Sequence, residues 1–339
     1  MLPKRTINLL VCSLFVCLGL SAYAVIGPEA AISQPPDAAC SSLVPSKPEK
    51  GARRFILDHV EGQAVLASAS REMNSASLVG VCIALFEEKG QRQAAAVVTN
   101  DQGAFVLTGV APGRYTLNAA RKGLRGIALP VELTTGSGKS GLLLRLPQEG
   151  DKEKSGATLV TDLDLRRELL QRLEQDQAIR QEMTRNGWDH PDPKIVERMA
   201  AIDASDTARM REIVKTHGGW PGPDLVSVDG TEAALLLVQH ADADHSFQKE
   251  MLPLVKKAYR AGSLRGQEYA LLQDRVLVAE GKPQIYGTQV TFEDKKPVPK
   301  PIEDEAHLDK RRAEMGLPPF AEYLKFLKDM YFPPAKDKP

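Results

Sequence analysis

The chain has 339 residues, 42% of them hydrophobic, and its 44 Lys and Arg balance 44 Asp and Glu. That length supports one large core or two ordinary ones. Zero net charge leaves no overall positive field, which speaks against nucleic acid or an anionic lipid surface as the partner.

The first residues, "MLPKRTINLLVCSLFVCLGLSAYA", carry two positive charges, an apolar run from Leu9 to Leu20 broken by Ser13, and small residues around Tyr23. This is the pattern of a signal peptide over residues 1–24, with Ala22 and Ala24 at an A-x-A cleavage site. Because the apolar character continues to Ile26, an uncleaved helix anchoring the protein to a membrane is the alternative. Either way the expectation is export, to the periplasm or the outside. Neither Cys12 nor Cys17 follows a small residue, so no lipid anchor is expected. Cleavage leaves Cys40 and Cys82, which can pair as a disulfide in an oxidising compartment. The alternative makes Cys82 a small buried residue and leaves Cys40 in a linker.

Residues 25–54 are rich in Pro, Ala and Ser without a period and read as a disordered tether. Over 55–147 the signals are short and β-like: "GVCIALFEE", "QAAAVVTN", "GAFVLTGV", "GRYTLNAA", "GIALPVELTT" and "GLLLRLP". Turn residues between them fall at roughly the 8–12-residue spacing of an all-β sandwich. In "TNDQGAFVLTGVAPGRYTLNA", Asn100, Asp101 and Gly103 supply a turn, and Pro112-Gly113 supplies a second. Phe105 and Leu107 then share one face, and Tyr115 and Leu117 point inward together. On these residues the tract resembles the carboxypeptidase regulatory-like, or transthyretin-like, β-sandwich family. That resemblance implies an accessory, non-catalytic module beside another domain, here one that could dock an envelope protein. The chain has no H-E-x-x-H or H-x-x-E pair to begin a carboxypeptidase zinc site. "TTGSGKSG" lacks the first glycine of a phosphate loop, since Leu133 stands there, and reads as a hairpin turn. No G-x-S-x-G elbow occurs.

The stretch "PQEGDKEKSGA" is charge, glycine and small residues, which sets a linker at 148–157 and a mainly helical domain at 158–333, followed by a disordered tail at 334–339. From Leu159 through Leu163, Leu169, Leu170, Leu173, Ile179 and Met183 the period is helical. A second helix spans Lys194 to Lys215 and stops at "HGGWPGP", with Trp220 as a core plug. "DGTEAALLLVQH" has Asp229 and Glu232 at capping-box spacing. Its run Ala233 to Val238 has no polar face, so Gln239 and His240 are carried to the interior or to a cleft floor. The next helix is capped by Asp242 or Asp244, with Pro253 marking a kink or a late start. In "QEYALLQDRVLVAEGK", Asp274 and Arg275 lie between apolar faces and require partners. "PQIYGTQVTF" reads as a strand in which Gly287 marks a close approach. With "EDKKPVPKPIED" it forms a small β-hairpin, and helices at 304–315 and 320–330 end the fold.

On "VQHADADHSFQ", "YALLQDRV", "GKPQIYGTQ" and "PIEDEAHLDKRRAEMGLPPFAEY", residues 159–331 resemble an uncharacterised bacterial family of unknown function. The resemblance places motif residues at Gln239, His240, Ala241, Asp242, Asp274, Arg275, Gln284, Tyr286, Gly287, Thr288 and Gln289. It implies no reaction and no cofactor.

Three readings compete at "LLLVQHADADHSFQ". In the first, His240 and the aspartates are helix-junction residues set by the helix dipoles, with Asp274 and Arg275 completing a polar network. In the second, Gln239, Gln284, Tyr286, Thr288 and Gln289 join Arg275 to bind a small-molecule or peptide ligand. In the third the domain is a hydrolase in which His240 is the base, Asp274 orients it and Arg275 stabilises negative charge; alternatively His240, Asp242 and Asp244 hold a divalent metal. The sequence favours ligand binding as the activity, with His190, His217 and His307 as loop or surface residues.

Overall fold

The computed structural model describes residues 40, 43–67, 76–89, 92–136, 140–185 and 191–332. The expected signal peptide and tail, most of the tether, and His190 lie outside these residues. The chain divides into two compact units: a β-sandwich unit running up to Arg167 and also taking Pro223–Asp229, and a helical unit of Glu168–Gly222 and Gly230 onward.

The sandwich comprises β1 (Phe55–Leu57), β2 (Val60–Leu66), β3 (Cys82–Glu87), β4 (Gln93–Val98), β5 (Ala104–Leu107), β6 (Gly113–Ala120), β7 (Ile127–Leu133), β8 (Gly141–Leu146) and β9 (Gly156–Val160). They form one sheet in the order β1-β7-β6-β3-β4 and another in the order β5-β2-β8-β9. Strand alternation explains the layers. Ile83 and Leu85 of β3, Tyr115 and Leu117 of β6, and Leu142, Leu144 and Leu146 of β8 fill the core between the sheets. The intervening Cys82, Ala84 and Phe86 face the other way and are covered by Cys40 and Leu43. The Tyr115 hydroxyl donates to the Ala111 carbonyl at 2.7 Å, fixing the corner that follows the Pro112 turn.

Three expectations are corrected here. The end of the expected tether is fastened down, because Cys40 is disulfide-bonded to Cys82 and Asn118 donates to the Ser46 carbonyl at 3.3 Å. The expected linker ends in strand β9, which pairs antiparallel with β8, so Leu159 belongs to the sandwich rather than to a helix. β7 and β8, which flank "TTGSGKSG", lie in different sheets and do not pair, so they do not form the expected hairpin.

The helical elements are α1 (Leu163–Arg185), α2 (Pro193–His217), α3 (Pro223–Gln239), α4 (His245–Arg260), α5 (Gly266–Ala279), α6 (Leu308–Glu314) and α7 (Phe320–Tyr331). A hairpin of β10 (Val290–Glu293) and β11 (Lys296–Pro299) lies between α5 and α6. Local chemistry sets the ends. Asp192 accepts from the Lys194 amide at 2.9 Å before Pro193 opens α2, and Gly218 at φ 67° closes it. Asp244 accepts from the Phe247 amide at 3.0 Å to cap α4, which carries Pro253 inside it, so the expected late start does not occur. α3 starts earlier than expected, at Pro223, and its helical geometry breaks at Ser227 before resuming. Within the helical unit Glu168 pairs with Arg209, Arg172 with Asp206 and Arg180 with Asp203. The sequence order of these pairs shows that α1 and α2 run antiparallel. Among the described residues no helix is long and apolar enough to cross a membrane.

Candidate functional site

The apolar run of α3, Ala233 to Val238, is buried all round, and it carries Gln239 and His240 inside with it, each 2% exposed. Gln248 of α4 fixes the turn that follows. Its amide donates to the Gln239 carbonyl and to Asp242 Oδ1, both at 3.1 Å.

His240 Nδ1 lies 2.7 and 2.8 Å from the two carboxylate oxygens of Asp176, which is wholly buried on α1. Because a carboxylate only accepts, the contact assigns a proton to Nδ1. Asp176 also receives Arg180 at 2.6 Å and Gln177 at 2.7 Å, and Arg180 continues to Asp203 at 2.8 Å. Burial pushes the Asp176 carboxyl up, but the His240 and Arg180 charges beside it hold it below its ordinary value. The neighbouring Asp203 is raised by burial. The carboxylate beside His240 is that of Asp176, not that of the expected Asp274. The signal was present in the spacing Leu169, Leu173, Asp176, Arg180, which puts an acid and a base on the apolar stripe of a helix.

Asp274 has a different task. Its carboxylate accepts from the backbone amides of Ile285 (2.7 Å), Tyr286 (3.1 Å) and Thr288 (3.0 Å), and from the Thr288 hydroxyl (3.0 Å). The expected strand is therefore shorter, beginning only at Val290, because side chains take the place of a ladder over 285–288, while Gln284 bridges to Ile302 and the Gln289 carbonyl accepts from the Lys300 amide. Gln284 Oε1 accepts from the Gln289 amide, and Gln284 Nε2 donates to the Gln289 and Lys300 carbonyls. Arg311 donates to the Ile285 carbonyl, Arg312 to that of Tyr286, and Tyr323 to that of Thr288. Tyr286 is buried, and burial with the nearby Tyr269 and Asp274 pushes its phenol up to about 12. Burial also raises Asp274, against the four donors that hold it.

Arg275 is fully buried and pairs with Asp242, so it is committed to the turn after α3. Burial raises the Asp242 carboxyl, and the Arg275 charge more than reverses this, leaving it below the ordinary value. Asp244 faces Arg211 at 2.7 Å and accepts from Ser246, which together with the α4 amide bring it to about 2. His240, Asp242 and Asp244 thus turn to three different partners. The expected metal-ligand set is corrected on that geometry: among the described residues no three His, Cys, Asp or Glu side chains are grouped to hold an ion. His217 and His307 are exposed.

Two members of the expected ligand set stand apart. Gln239 Nε2 donates to the Glu268 carbonyl and Gln289 Nε2 to the Leu271 carbonyl, each at 3.4 Å. Since a backbone carbonyl only accepts, both amide nitrogens must face α5 and both oxygens must turn away from those carbonyls. Among the described residues neither Oε1 finds a hydrogen-bond partner, although the two side chains are 2% and 1% exposed.

No curated protein matches the chain. Among solved structures it is similar to 3-chlorocatechol 1,2-dioxygenase from Rhodococcus opacus 1CP, at 13% identity and a TM-score of 0.17. That similarity covers 41% of this chain and 66% of the dioxygenase chain, slightly less than two thirds of its length. A family match extends over residues 163–336, half of the chain and all of the residues described above for the site, and on it the protein belongs to the Family of unknown function (DUF6624).

Proposed function

We propose that the helical unit binds a small or peptidic ligand at the junction of the QHAD turn, α5 and the 284–289 loop, and that the ligand presents N–H donors to Gln239 and Gln289. The observation that carries this reading is a contrast within one buried network. Asp274, Gln284 and Thr288 are held by amide and hydroxyl hydrogen bonds, whereas among the described residues the Gln239 and Gln289 Oε1 atoms have no partner. A buried acceptor left unmet costs roughly 1–3 kcal/mol, so two of them need a reason. Their amide nitrogens dock on α5 carbonyls three residues apart, and those carbonyls are about 4.5 Å apart along the helix. One amide, ammonium or guanidinium group can bridge the two Oε1 atoms.

The test is thermal unfolding of the purified chain with glycinamide or alanyl-alanine, and with acetate as a probe lacking N–H. A saturable rise with the N–H probes, lost in Gln239→Leu and Gln289→Leu, supports the reading. No rise, or a rise that both variants retain, contradicts it.

The Asp176 contact of His240 supports a second reading, a His-based hydrolase in which Asp176 takes the orienting role. Ester or peptide cleavage abolished by both His240→Gln and Asp176→Asn is its signature.

We further infer that the protein is exported. The Cys40–Cys82 disulfide supports this, since cytosolic thiols stay reduced. The mass of the mature chain, with and without thiol alkylation, tests it. The tyrosine corner after the "PGRY" turn supports reading the sandwich as a carboxypeptidase regulatory-like accessory module that docks an envelope protein. Crosslinking of the full chain in intact cells tests that docking.

A further inference from the structure

Two arginines lie near one carboxylate inside the sandwich unit, and only one of them pairs with it. Arg166, fully buried in the first turn of α1, lays Nε and Nη2 against the two carboxylate oxygens of Asp229 and gives Nη1 to the Gln63 side chain on β2. Gln63 is locked in turn, donating to the Gln102 carbonyl at 2.7 Å and to the Ser77 hydroxyl at 3.2 Å. Arg145 reaches into the same cluster from β8, and its partners are neutral: Thr158 Oγ1 at 2.8 Å and Ser227 Oγ at 2.7 Å. Burial pulls the Arg145 guanidinium down; the Asp229 charge opposes this and the Arg166 charge adds to it. The cluster therefore holds two positive charges against one negative.

Ser227 adds a second, independent feature. It is 1% exposed and has φ 63° and ψ 172°, in the region that essentially only glycine occupies without strain. Glycine would relieve that strain and lose the hydroxyl that meets Arg145.

We propose that Arg145, with Thr158 and Ser227, forms a binding site for a small oxyanion that supplies the second negative charge. The planar guanidinium fork suits the paired oxygens of a carboxylate, sulfate or phosphate group. The Thr158 hydroxyl, accepting from Arg145, retains its own O–H to donate to such a group.

The experiment is thermal unfolding of the full, disulfide-bonded chain in rising sodium sulfate, sodium phosphate or sodium acetate, with ionic strength held constant by sodium chloride. A saturable rise in midpoint is expected with at least one oxyanion. A response to sulfate or phosphate identifies a tetrahedral ligand, and a response to acetate alone identifies a carboxylate. Arg145→Lys keeps the charge and loses the fork, and it should raise the half-saturating concentration about tenfold or more. Where that variant does not fold, Thr158→Val, which alters no charge, should weaken the response. No oxyanion-specific shift in the wild-type chain overturns the proposal. A shift that Arg145→Lys and Thr158→Val leave unchanged means an adventitious ion only, and overturns it equally.

Discussion

Asp274 and Arg312 hold the two ends of one residue: the Asp274 carboxylate accepts from the Tyr286 amide at 3.1 Å, and the Arg312 guanidinium donates to the Tyr286 carbonyl at 2.6 Å. Both side chains are fully buried, and Arg312 is further held by the Pro318 carbonyl and by the Phe320 and Tyr323 rings. Opposite charges thus clamp a turn that has no strand partner over this stretch. Asp274→Ala strands three buried amides and should cost more than about 3 kcal/mol in urea unfolding. Arg312→Met strands fewer groups and should cost about 1–3 kcal/mol. Coupling in the double mutant should be on the order of 1 kcal/mol, and strict additivity would count against the clamp.

Gly287 sits inside that turn at φ 67°, and a Cβ built there would lie 2.9 Å from the Phe320 ring. Strain and overlap act together, so Gly287→Ala should destabilise the helical unit by about 1–3 kcal/mol. Chemical denaturation measures it, and an unchanged midpoint refutes the geometry.

The disulfide closes a loop between positions 42 residues apart. Replacing Cys40 and Cys82 by Ser should remove about 2–4 kcal/mol from the sandwich. Because Cys40 and Leu43 also cover the outer face of β3 and β4, hydrogen exchange in those strands should rise with the loss of the bond. Exchange that stays at wild-type rates in β3 and β4 would show that the bond does not hold this cover in place.

Acid should act on the helical unit in two directions. Asp176 and Asp242 are held below their ordinary values, so their stabilisation is present above the unfolded value of about 4 and is lost as pH falls through their folded values. Burial raises Asp203, Asp206 and Asp274, so the folded state takes up protons before the unfolded state does. Their effect is a gain in stability as pH falls through their folded values toward about 4. The thermal midpoint should therefore peak at mildly acid pH, just above about 4, and drop below it. A midpoint that climbs steadily from pH 4 to pH 7 contradicts these assignments.

The fold class was legible because its signals are local. Period-two alternation marked the core strands, and the wholly apolar Ala233 to Val238 run marked the buried end of α3 that carries His240 inward. The pairing within the site was not legible. Asp176 precedes His240 by 64 residues and joins it only through helix packing, and Arg312 reaches Tyr286 over 26 residues. The strand expected at "PQIYGTQ" failed because a turn whose Ile285, Tyr286 and Thr288 backbone groups are met by side chains leaves the same β-like composition as a ladder. The boundary failed for a related reason: charge and glycine at 147–157 resemble a linker, while the pairing of β9 is decided by β8, which lies earlier in the chain.

The most direct measurement is a crystal structure, at a resolution that shows ordered solvent, of the protein purified without added amines or amides and then soaked with glycinamide. The account predicts a nitrogen of the probe within hydrogen-bond distance of both Gln239 Oε1 and Gln289 Oε1. Two oxygens bridged by water alone in the soaked crystal, or turned to protein donors, would contradict it.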